Sequence, residues 1–141
     1  MRKTIVKLFA LILVCCTVSL SLISCGIDMG DGKDHVNGFF AAVSEEDFEK
    51  AATFFHPEID VDVKAPFEEV ETRWGVEVKD GISVKTYTGF KTVIHDTSVD
   101  GSVLTFSLVL EIDTVSTTAQ VTLVENDSGF GIYWLNIDPL E

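Results

Sequence analysis

The chain has 141 residues, the length of one domain, and 23 acidic against 10 basic residues give it a net charge of −13. Nucleic-acid binding needs basic side chains to displace the counterions of phosphate, and this balance excludes it. All three cysteines lie before residue 26, so the rest of the chain has no thiol for a disulfide, a zinc site or a nucleophile.

Arg2, Lys3 and Lys7 form a positive start, residues 8–22 are almost uninterruptedly apolar, and Ser24 and Gly26 mark a small-residue boundary. This is the anatomy of a secretory signal, too short and wrongly flanked for a lasting transmembrane helix. The competing readings are an uncleaved membrane anchor and a buried core helix. The quartet Leu22-Ile23-Ser24-Cys25 resembles the lipobox of bacterial lipoproteins. That resemblance implies a diacylglyceryl thioether on Cys25 and cleavage just before it. The mature domain is then held on the cell membrane by its N-terminal lipid, facing outside the cytoplasm. Two acyl chains, at about 0.8 kcal/mol per buried methylene, hold a protein where one chain does not. Cleavage removes residues 1–24 and leaves 117, with 7 basic and 23 acidic residues and a net charge of −16. Such acidity favours solubility and repels an anionic membrane; the sharper alternative is a surface for a cation or a basic partner.

Residues 25–33, rich in Gly and Asp and without periodicity, read as a flexible tether. Asp28, Asp31 and Asp34 lack the spacing of a calcium loop. Residues 34–141 read as a single domain. Asp34 is placed to cap a helix carrying Val36, Phe39, Phe40 and Val43 at i, i+3, i+4, i+7. Ser44 is placed to cap a second, with Glu45, Glu46 and Asp47 in its first turn and Phe48, Ala51, Ala52 and Phe55 as its apolar set. His56-Pro57 ends it. Residues 58–65 alternate and suit a short strand or an extended connection; Asp60 and Asp62 there form a D-x-D pair with no third ligand nearby. Pro66 suits the first position of a third helix bearing Phe67, Val70 and Trp74, with Gly75 as its stop.

From residue 76 the pattern turns to period two. Asp80-Gly81 signals a turn, residues 82–95 a strand with a bulge at Gly89, and Asp100-Gly101 a hairpin. Leu104, Phe106, Leu108, Leu110 and Ile112 then share one face of a half-buried antiparallel strand. Val115, Thr117, Ala119, Val121 and Leu123 face inward from the next, and residues 126–129 turn into a last strand over 130–137.

Helices followed by an antiparallel meander predict an α+β fold, the helices packed on one face of a curled sheet. VNGFFAAVSEEDFEKAATFFHP near the front and GFGIYWLNIDP at the end resemble the nuclear transport factor 2-like (cystatin-like) superfamily over residues 34–139. The resemblance implies a cone-shaped sheet with an apolar interior and, in particular, small exported lipoprotein domains without assigned activity. The superfamily hosts isomerases, dehydratases, binding modules and adaptors, so the fold carries little function.

An enzyme on this scaffold needs an acid or base poised inside the cone. His95 and Asp96 are strand neighbours and point to opposite faces. His35 sits in a first helical turn and His56 at a helix end. No nucleophile elbow, phosphate loop or cofactor motif is present, and three scattered histidines make no metal site. Tyr87, Phe106, Tyr133 and Trp134 are the candidate pocket residues. The expectation is a membrane-anchored, non-catalytic domain that binds an envelope protein or a small apolar ligand. The alternatives are an isomerase or dehydratase using a buried carboxylate or histidine, and a purely structural domain, a homodimer through the open sheet face.

Overall fold

The computed structural model describes residues 26–140, so the signal segment and Cys25 lie outside the described residues. The chain folds as α+β. Helices α1 (Met29–Ser44), α2 (Phe48–Ala52) and α3 (Lys64–Trp74) come first. Strands β1 (Ile82–Asp96), β2 (Gly101–Ile112), β3 (Val115–Asn126) and β4 (Gly129–Ile137) follow as an antiparallel sheet in sequence order.

The first helix departs from its expected start. Residues 29–33 are not tether: Asp28 caps α1, its carboxylate accepting from the N–H of Gly30 and Asp31 at 2.8 and 3.1 Å. Gly and Asp there serve a cap and a close approach rather than a loop. A Cβ on Gly32 would stand 2.8 Å from Leu104 Cδ2, so glycine lets the helix backbone lie on the sheet. Val36, Phe39, Phe40 and Val43 are all buried, as their spacing predicts.

Ser44 closes α1 instead of capping α2. Glu46 takes a left-handed φ of 57°, its N–H bonds Val43 O, and the N–H of Asp47 reaches back to Ala42 O, the paired bonds of a Schellman stop. Asp47 is the cap of α2, accepting from Lys50 N at 3.0 Å. That helix ends at Ala52, short of His56-Pro57, because Phe54–His56 is drawn off to the sheet: His56 N donates to Ile132 O and Ile132 N to Phe54 O, both at 2.8 Å. Residues 58–63 form no strand. The start of α3 precedes Pro66 by two residues, since Asp62 Oδ1 accepts from Lys64 N and Ala65 N. Pro66 is then third in the helix, where no N–H is required. Gly75, at φ 66°, stops it as expected.

The sheet matches its sequence pattern closely. Leu104, Phe106, Leu108, Leu110 and Ile112 are fully buried, each contributing about 1.5–3 kcal/mol by leaving water. The register of β1 on β2 slips between Tyr87 and Gly89, at the expected bulge. Helix α1 runs antiparallel to β1 across this face. Ser44 O accepts from Asp80 N near the start of β1, Tyr87 lies against Lys33 and Asn37, and Gly32 reaches Leu104 and Phe106. Beyond the helix, Phe90 and Ile94 stay 59% and 65% exposed.

Candidate ligand pocket between α3 and β4

The four residues expected to line a pocket do not come together. Tyr87 and Phe106 meet edge to face at 5.0 Å beneath α1. Phe106 is fully buried core. Tyr87 Oη lies 3.0 Å from Asn37 Oδ1 and 3.3 Å from Lys33 O, while the Lys33 ammonium sits 5.1 Å above the ring. Burial, helped by the charge of Asp34, pushes the phenol up to about 12. Tyr133 packs edge-on to His56 at 5.6 Å. Trp134, opposite Thr122, stands on the outer face and is half exposed. Two of the four are packed under a helix, one braces a histidine, and one faces solvent.

The inward face of β2 is buried from Leu104 to Ile112, with α1 lying close against it at Gly32. An apolar cavity of about 360 Å³ lies at the β4 edge of the sheet, between α3 and the end of β4. Phe55, Phe67, Val70, Trp74, Leu135 and Ile137 line it. Phe55, Phe67, Val70 and Trp74 are apolar positions that helical periodicity assigns to an inner face. Periodicity carries no signal that α3, joined to β4 by neither strand pairing nor a short turn, stands off from it.

Its polar groups are at the rim. Asp62 Oδ1 accepts from the first N–H groups of α3, and the Glu69 carboxylate is paired with the Arg73 guanidinium, both of these side chains largely exposed.

The backbone at the rim is the less obvious feature. The two-residue turns at 113–114 and 127–128 close on the hydrogen-bonded pairs Ile112–Val115 and Asn126–Gly129. After the irregularity at Tyr133, Trp134 pairs Thr122, Asn136 pairs Gln120, and Asp138 N donates to Thr118 O at 2.9 Å. Alternation therefore aims the N–H and C=O of Leu135 and Ile137 away from β3, toward the pocket. No hydrogen bond from the described residues meets them.

His35 and His56 are structural ties, which spacing alone did not reveal. His56 is fully buried: Nε2 lies 3.1 Å from both Asn126 Oδ1 and Gly129 O, and Nδ1 accepts from Glu58 N at 3.2 Å, which assigns the ring proton to Nε2. His35 Nε2 lies 2.8 Å from Phe54 O, with its ring edge-on to Phe54 and Phe130. His95 is exposed, and Asp96 accepts from the Ser98 hydroxyl and N–H, which holds its carboxyl below the usual range. Among the described residues, no group of three or more His, Cys, Asp or Glu is placed to hold a metal ion, and no helix is long and apolar enough to cross a membrane. Comparison of the chain with protein-family models, curated proteins and solved structures gave no match.

Proposed function

We propose that the chain is a lipid-anchored extracytoplasmic domain that binds an apolar group in the pocket between α3 and β4, without catalysis. The pocket carries this reading: a cavity of about 360 Å³ with aromatic and aliphatic walls suits apolar ligands, and its charged groups sit in solvent at the rim. An isomerase or dehydratase needs a carboxylate or histidine inside, and the buried His56 spends its ring nitrogens on three protein groups. The anchor rests on the signal-like start and the lipobox at residues 22–25. Helix α1 begins four residues after Cys25, so about 14 Å of extended chain at most separates the domain from the lipid. The order of helices followed by a four-stranded meander, with an irregular β1 at Gly89, supports membership of the nuclear transport factor 2-like (cystatin-like) superfamily.

Trp74 in the pocket and Trp134 outside it make a test with an internal reference. Residues 26–141, prepared without the signal segment, are titrated with decanol while tryptophan emission is followed. A saturable change that Trp74→Phe removes and Val70→Trp blocks is the expected result. Emission unchanged up to the solubility limit of decanol ends the pocket reading.

A further inference from the structure

We infer that the natural occupant of this pocket is an extended peptide segment of a protein partner, adding a fifth strand to the edge of β4 at Leu135 and Ile137. The inference rests on the pocket reading and names the class of molecule that fills it. A small apolar ligand satisfies the pocket walls but leaves the outward N–H and C=O of these two residues unmatched. An added strand satisfies both at once, which is how sheet-edge recognition divides affinity and specificity.

The chain already demonstrates this mode on the same edge. Phe54–His56 lies alongside β4 in parallel and exchanges two 2.8 Å hydrogen bonds with Ile132. The next outward-facing groups along β4, past the irregularity at Tyr133, are those of Leu135 and Ile137, and Phe55 forms the adjoining pocket wall. A second strand continues where the first stops.

The size agrees. One residue of a packed strand occupies about 3.3 Å along the chain, 4.8 Å across the sheet and 10 Å through it, or about 160 Å³. The cavity of about 360 Å³ therefore has room for about two residues of such a segment. Phe67, Val70 and Trp74 receive an apolar side chain from every second position.

Charge selects among occupants. Asp62 and Glu69 stand at the rim, Arg73 is tied to Glu69, and the chain carries 23 acidic against 10 basic residues. The segment recognised is apolar and alternating at its centre and carries Lys or Arg at its flanks. A second copy of this acidic chain brings like charge to the same edge and is disfavoured.

The test selects a displayed library of random decapeptides against the purified full chain. Enriched peptides are expected to alternate apolar residues between basic flanks. A synthetic representative is expected to slow amide exchange of Leu135 and Ile137 about tenfold or more and leave Ile132, already bonded, unchanged. Methylating its edge-facing amide nitrogen is expected to weaken binding about tenfold, as is Ile137→Pro in the protein. Should the proline variant fail to fold, the exchange and methylation results on the wild-type chain decide alone. Undiminished binding of the methylated peptide, or unchanged exchange, overturns the strand. Exchange protection that appears without peptide and rises with protein concentration assigns the edge to a second copy and also overturns it. No enrichment while decanol still enters removes the strand and leaves the pocket reading standing; if decanol fails too, both fall.

Discussion

His56 and Asn126, seventy positions apart in sequence, meet with Nε2 3.1 Å from Oδ1. Asn126 Nδ2 continues to Val99 O at 2.9 Å, and Ser128 N donates to the same Oδ1 at 2.9 Å. One imidazole and one amide thus bind the connection between α2 and α3 to the β1–β2 and β3–β4 hairpins. Replacing either leaves buried polar groups without partners, so His56→Leu and Asn126→Ala are each expected to lower stability by about 2–3 kcal/mol. The double variant is expected to fall short of the sum by about 1 kcal/mol or more. Urea unfolding of the four proteins measures both quantities; additive losses would mean that the two side chains act independently.

Gly32 distinguishes a packed helix from a tether. Its absent Cβ would meet Leu104 Cδ2 at 2.8 Å, Phe106 Cε2 at 3.1 Å and Leu123 Cδ1 at 3.2 Å. Gly32→Val forces those core side chains aside and is expected to cost about 2 kcal/mol. A flexible linker would accept valine with no change in the thermal midpoint.

Tyr87 makes stability depend on alkaline pH. Its phenol titrates near 10 when unfolded and at about 12 when folded, so over that interval the unfolded chain has released a proton that the folded one keeps. Stability from this group is present below pH 10 and is lost as pH rises through 12. The ring is half exposed, and solvent screening reduces the effect to about 1 kcal/mol. Tyr87→Phe is expected to be less stable at pH 8, having lost its contact with Asn37, and to show a shallower decline between pH 10 and 12 in urea titrations.

Cys25 carries the location. Cys25→Ser is expected to move the protein from the membrane fraction to the soluble fraction, and growth with radiolabelled palmitate is expected to label only the cysteine form. Retention of the serine form in membranes would overturn lipid anchoring.

Element types and the buried strip of β2 were legible because periodicity records which side chains must leave water. Leu104 to Ile112 alternate so regularly that no other placement buries them. Boundaries were less legible. Asp28, Asp34, Ser44 and Asp47 are all competent caps, and which of them caps is decided by where the helix docks, through Gly32 at one end of α1 and the left-handed Glu46 at the other. The pocket was not legible, because an apolar residue against a neighbour and one against a cavity have the same sequence signature.

The sequence by itself determined the acidic charge, the absence of thiols after Cys25, the signal-like start, and the succession of helices before a period-two meander. These follow from composition and local pattern, which no packing alters. Tertiary structure alone decided that α1 lies against the sheet at Gly32, that His56 is a buried tie, and that an apolar cavity lies beside Leu135 and Ile137. Each of these depends on the distance between segments far apart in sequence, here set by the bare backbone of Gly32, the pairing of Phe54–His56 with Ile132, and the gap between α3 and β4.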